Sequence, residues 1–163
     1  MSVNPDQDQH RRNRLLSALR PRDHALLEPH LQIVPIGEGE FLHLPGDEIR
    51  QVYFLHKGIV SLMAISAEGD AIATASVGSE GAIGTIVGTG FVRAFTRALV
   101  HAPGVASRIE ASHFRRAVSK SETINNLLTP LSHGADVPGP ANLVVQFGAR
   151  WNLAPEPVTI ASE

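Results

Sequence analysis

Residues 42–58 read Leu42-His43-Leu44-Pro45-Gly46-Asp47-Glu48-Ile49-Arg50-Gln51-Val52-Tyr53-Phe54-Leu55-His56-Lys57-Gly58. The order is a short strand, a Gly-Asp turn, a four-residue apolar strand and a closing glycine. Gly46 and Asp47 suit a tight turn, because glycine takes positive φ without a steric cost and an aspartate side chain bonds its own backbone. Val52 to Leu55 have the length and apolar content of a buried strand. Gly58, three residues after that run, predicts a close-packed corner between successive strands rather than a surface loop.

Outward from this stretch the β texture continues from Leu31 to Ile109, and all eleven glycines before residue 105 fall within it. Ile59 to Ile65 and Ala71 to Val77 are β-competent runs on either side of Ala67-Glu68-Gly69-Asp70, which predicts a hairpin. On the amino-terminal side, Arg12 to Leu19 and Pro21 to His30 have helical spacing. Pro21 lies in a first turn with Asp23 close behind, and Leu15, Leu16, Leu19, Leu26 and Leu27 form the apolar stripe. On the carboxy-terminal side, Ala111 to Leu128 returns to helical spacing through Phe114, Ala117, Val118, Ile124, Leu127 and Leu128, with Ser112 as the expected cap. The expected fold is mainly β: a jelly-roll or β-roll barrel flanked by short amino-terminal helices and a truncated carboxy-terminal helix.

At 163 residues with 43% hydrophobic content, the chain can bury one ordinary core. Its formal charge of -2 gives no overall footprint for nucleic acid or an anionic membrane. It has no cysteine, which removes disulfides and thiolate-held iron–sulfur clusters. The polar amino terminus and the lack of a long apolar run predict a cytoplasmic protein that makes no membrane contact.

The Leu42–Gly58 spacing resembles the first signature of the cyclic-nucleotide-binding β-roll, the sensory module of Crp/Fnr-type bacterial transcription regulators. His43 and Ile49 stand where that family has a small aliphatic and a small residue. The resemblance covers roughly residues 12–129, leaving 130–163 as an irregular tail. It implies that Val77 to Ala102 would cradle a ligand, with a short helix and the next strand meeting a cyclic phosphate. Such a site needs backbone N–H groups at a helix start, an arginine for the phosphate and a carboxylate for the ribose hydroxyl. Ile83-Gly84 matches the family's apolar-Gly pair, but Thr85 follows where cyclic-nucleotide binders place Glu. Glu80 precedes the glycine and could replace that Glu only along a different backbone path. Thr96-Arg97-Ala98-Leu99-Val100 resembles the family's Arg-Ser/Thr-Ala-x-Val strand with the first two residues exchanged. On a strand this exchange aims the guanidinium at the opposite face, so Arg97 is expected in solvent.

The ligand-binding residues implied by the resemblance are therefore Gly84, Thr85, Thr96, Arg97 and Ala98. The missing carboxylate and displaced guanidinium argue against cyclic AMP and cyclic GMP. They leave an unidentified small-molecule effector, or a vestigial pocket, along Gly78 to Gly90. A stand-alone cyclic-nucleotide or small-anion binding module is the second reading. A cupin-like jelly-roll metalloenzyme is the third, and the residues oppose it. Cupin sites place two imidazoles on one strand face through His-x-His, a spacing this chain lacks, and His43 and His56 lie in different strands near turns. The histidines are expected to be exposed, and no nucleophile stands with a base. No cofactor, metal or enzyme activity is expected.

His10-Arg11-Arg12-Asn13-Arg14 and Arg115-Arg116 fit solvated helix faces. In the family, DNA is read by a separate carboxy-terminal helix-turn-helix, reached through a long helix along which two subunits pair. Here a homodimer would use the helix ending near Leu128. Beyond it, Pro130, Pro138, Pro140, Pro155 and Pro157 break helical continuity. Suitable synonymous codons for Leu131 to Pro157, read one base later, encode Ala-Leu-Met, then Cys-Asn-x-x-His, then Arg-Leu-Ser-Arg. Those segments, at those spacings, resemble rhizobial-type Crp/Fnr relatives. The expectation is a frameshift near Pro130, an unpacked tail and a poorly buried Trp151, the alternative being a natural proline-rich tail.

Overall fold

In a computed structural model, residues 5–65 and 68–128 are described. The irregular tail, the proposed frameshift and Trp151 lie outside the described residues, as does Ala67 of the hairpin loop. Three short helices open the chain: α1 (Pro5–His10), α2 (Arg14–Ala18) and α3 (Pro21–Leu27), followed by a 3-10 turn over Glu28–His30. Six strands follow, β1 (Gln32–Ile36), β2 (Phe41–His43), β3 (Gln51–Ile65), β4 (Ala71–Val77), β5 (Ala82–Ile83) and β6 (Thr96–Glu110), with a 3-10 turn over Thr85–Thr89 before the last. Helices α4 (Ala111–Lys120) and α5 (Glu122–Leu128) complete the described chain.

All the strand pairs are antiparallel. β6 pairs with β1, β2 and β3, while β3 also pairs with β4 and β5. Two 15-residue strands, β3 and β6, thus serve both halves of the roll. The interior is filled by alternate residues such as Val52, Phe54, Val60, Ala98, Val100 and Ile109, each at most 1% exposed. The helices close one end: Leu16, Leu27, Phe114 and Ile124 are buried, and the Phe54 and Phe114 rings lie 6.2 Å apart.

The expected corner at Gly58 is a bend within one strand. β3 runs on past it, with register shifts between Leu55 and Lys57, between Lys57 and Ile59, and between Ile59 and Val60. Gly58 has φ +104°, and a Cβ there would come 2.8 Å from the Ala102 carbonyl oxygen. Bulges let a long strand turn without ending it, which the sequence signals of turn and strand alone do not distinguish.

The single carboxy-terminal helix expected over Ala111 to Leu128 is two. Ser121 leaves helical geometry, with φ -131° and ψ 112°. Its hydroxyl accepts from the Ile124 N–H at 3.1 Å and donates to the Asp23 carboxylate at 2.8 Å. Ser121 therefore caps α5 while tying it to α3. Ser112 is exposed and Glu110 occupies the cap position of α4, without a side-chain cap bond.

The basic run near the amino terminus divides by face. Arg11, Arg12 and Arg14 are exposed, but His10 is 4% exposed and Asn13 fully buried, contrary to the solvated face expected for all five. Asn13 caps α2 by accepting from the Leu15 and Leu16 N–H groups, and its amide donates to the carbonyls of Leu55 and Gly81, both at 2.8 Å. Arg115 and Arg116 are exposed as expected. Among the described residues no helix is long and apolar enough to cross a membrane.

Candidate functional site

The segment implicated by the sequence lies between β5 and β6. Gly84 precedes the Thr85–Thr89 turn with φ +87°, where a Cβ would sit 2.8 Å from the Gln51 carbonyl oxygen. Both the conformation and the approach to β3 require glycine. Thr85 and Val87 are buried, and Gly88 packs on α4, where an added Cβ would meet the Phe114 ring at 3.1 Å and Val118 at 3.2 Å. Gly90, also at positive φ, ends the turn. The chain then runs beside residues 46–49: Gly46 N–H donates to the Ala94 carbonyl, Ala94 N–H to Asp47 and Ile49 N–H to Val92, each at 2.8 Å. The Gly-Asp turn quoted from the sequence and the approach to β6 therefore form one side of the site.

Thr96, Arg97 and Ala98 open β6. Ala98 is fully buried and pairs with Leu62 of β3 and His43 of β2. Thr96 shares a hydrogen bond of 3.0 Å between its hydroxyl and His43 Nε2. Burial pushes the His43 pKa down to about 4, against a smaller upward pull from Asp47, so the imidazole is neutral at pH 7. Arg97 lies opposite Met63 on the face away from Ala98 and Val100. It is half-buried rather than free in solvent, and its Nε is buried without a hydrogen-bond partner. Glu80 does not replace the missing carboxylate beside Gly84, because it accepts from the Gly78 N–H at 3.0 Å and closes its own turn.

Thr85 and the Thr96 hydroxyl, bonded to a neutral His43, thus stand where the resemblance implied charged ligand contacts.

A second polar cluster was not foreseen. His10 Nδ1 and His56 Nε2 both lie 2.6 Å from the hydroxyl of Ser107, which is fully buried in β6. One hydroxyl donates once, so it donates to one imidazole and accepts from the other. His56 is held down to about pKa 4 by burial first, then by His10 and Arg12. With His24 buried and His43, His56 and His113 half-buried, the expectation of exposed histidines fails for five of the seven that are described, counting His10; His133 lies outside the described residues. The physical reason is pairing: a neutral imidazole with a hydroxyl or carboxylate partner is inexpensive to bury. Nothing in the spacing of His10 and His56 signalled this, but Asn13 was readable as a cap before Leu15 and Leu16. Among the described residues no group of three or more His, Cys, Asp or Glu side chains could hold a metal ion.

No family model and no curated protein sequence matches the chain. Solved structures do. A mutant regulatory subunit of a cAMP-independent protein kinase A from Trypanosoma brucei, bound to cAMP in its A site, superposes with a TM-score of 0.66 at 15% identity, covering 78% of this chain and 46% of that one. This is the cyclic-nucleotide-binding β-roll fold. Among bacterial β-rolls, the amino-terminal domain of a transcriptional regulator from Streptomyces coelicolor matches with a TM-score of 0.56 at 21% identity, covering 74% of this chain and 86% of the other. The regulator DNR from Pseudomonas aeruginosa matches with a TM-score of 0.61 at 15% identity, covering 78% and 57%. The chain spans less than half the length of the matched kinase subunits. These β-rolls are regulatory or sensor structures, and at such identities the likeness is one of fold.

Proposed function

We propose that this β-roll is the effector-sensing regulatory domain of a Crp/Fnr-like transcription regulator. The reading takes residues 12–129 as a cytoplasmic, non-enzymatic input domain. An effector would bind between the Thr85–Thr89 turn and the start of β6 and shift the population of two states of the roll against α4 and α5. Two copies would pair through α5, a pairing that sedimentation can test.

The Thr96–His43 hydrogen bond carries the finer part of the proposal. A neutral hydroxyl–imidazole pair offers no cation to a cyclic phosphate, and a buried Thr85 offers no carboxylate to a ribose, so the effector is not cyclic AMP or cyclic GMP. The experiment is a thermal-shift titration of the wild type and of a Thr85→Glu/Thr96→Arg variant, since a ligand that binds only the folded state raises its melting temperature. The wild type is expected to show no saturable rise with either nucleotide, and the variant to gain one with at least one of them. A saturable rise in the wild type would overturn the exclusion. A folded variant that gains nothing would overturn the assignment of Thr85 and Thr96 to the ligand-facing positions.

A further inference from the structure

Away from the Thr85–Thr89 turn, a cavity of about 250 Å³ opens where the Glu28–His30 turn, β1, β3, β6 and the first turn of α4 meet. That is slightly below the range of pockets for drug-sized ligands, ~300 Å³ and above, and suits a small ion or metabolite fragment. Arg108, His30, His113, Gln32 and Gln51 line it together with Glu110.

Two features of this lining are unusual. Arg108 is half-buried, yet among the described residues no carboxylate lies within ion-pair distance of it. Its recorded partners are neutral: Nη2 donates to Gln32 Oε1 at 3.2 Å, and the Tyr53 hydroxyl lies beside it, in register across the sheet. The His30 and His113 rings stack almost parallel, 9° apart with centroids 3.8 Å apart. Stacked imidazoles leave their ring N–H groups at the edges, so both can donate toward a common acceptor. The sole acid in the lining, Glu110, is 65% exposed at its side chain and reaches His113 at 3.8 Å, a weak pair that a stronger oxyanion can displace.

We propose that this cavity is a binding site for a small phosphate-type oxyanion, held by the Arg108 guanidinium and the stacked His30 and His113 imidazoles. The planar guanidinium matches two oxygens of such a group, and the imidazoles supply further N–H donors. Because His30 precedes β1 and His113 lies in α4, one bound anion draws both segments onto β6 and stiffens α4 against the roll. The site is separate from the effector reading above and does not depend on it.

The test uses the full chain, with ring-nitrogen NMR and calorimetry during titration with inorganic phosphate and, in a second arm, glycerol phosphate. Saturable shifts of the His30 and His113 resonances are expected. Arg108→Gln should weaken binding about tenfold or more, and His30→Gln, at an exposed position, severalfold. Arg116→Gln, on the exposed face of α4, should leave binding unchanged. Tighter binding of glycerol phosphate would assign the site to a phosphorylated metabolite, and tighter binding of phosphate to the free ion. Absence of saturation, undiminished binding in His30→Gln, or an equal loss in Arg116→Gln would overturn the proposal.

Discussion

Replacing Asn13 by alanine removes four hydrogen bonds at one fully buried position. Its carbonyl oxygen caps α2, and loss of such a cap costs about 1 kcal/mol. Its amide group serves the Leu55 carbonyl in β3 and the Gly81 carbonyl just before β5. These contacts lie in the interior, where each forfeited bond costs about 1 kcal/mol and a stranded acceptor somewhat more. The sum is about 3 kcal/mol, a large share of the ~5–15 kcal/mol that holds a domain folded. In a domain of this size it lowers Tm by roughly 10 °C. Urea and thermal unfolding by circular dichroism would measure it. Asn13→Ser, which keeps a capping oxygen but not the two donors, should recover about 1 kcal/mol of the loss. A cost below ~1 kcal/mol for Asn13→Ala would refute the reasoning, because it would mean that the two carbonyls find other partners.

Three further outcomes follow from the same structure. Gly104→Ala puts a Cβ onto the Lys57 carbonyl and 2.7 Å from Gly58 N, backbone against backbone, so a fall in Tm larger than for Gly39→Ala, which meets nothing within 4 Å, is expected in a thermal scan. Ser121→Ala deprives the buried Asp23 carboxylate of a donor and α5 of its cap, and unfolding in urea should report a loss of about 2 kcal/mol. His43 and His56 both titrate near 4 when folded against 6.5 when unfolded. The unfolded chain therefore takes up protons first, and stability present above pH 6.5 falls as pH drops toward 4, by at most ~1.4 kcal/mol per pH unit for each. Urea midpoints across that window should flatten in His43→Gln; an unchanged slope would argue against its burial as a neutral group.

The sequence made the roll legible where glycine and apolar spacing coincide. Gly46, Gly58 and Gly84 each mark a position where the backbone takes positive φ, and at Gly58 and Gly84 it also passes close to a neighbouring strand. Strand length was less legible, because a bulged strand and two strands with a corner share one pattern of apolar runs, as around Gly58. The helix after β6 read as continuous because Phe114, Ala117 and Ile124 keep helical spacing across Ser121, whose capping role depends on the distant Asp23. In the site, the exchange of Thr96 and Arg97 was visible and its geometric consequence followed from strand alternation. The His43 partner of Thr96 was not, since it comes from 53 residues away. The Ser107 pair of imidazoles was hidden for the same reason: it joins α1, β3 and β6, and no local pattern encodes a contact between them.

The position of β6 bears on how the protein comes into being. This strand is the shared neighbour of β1, β2 and β3, yet it is the last of the six to be synthesised. Until residue 110 has cleared the ribosome, β1 and β2 lack the partner they hold in the finished fold, and β3 has only β4 and β5. Such long-range antiparallel closure is slow and leaves unpaired edges exposed in the meantime. Nascent chains stalled ahead of β6 should therefore be chaperone clients, and the chain should acquire protease resistance in a single late step once β6 has emerged.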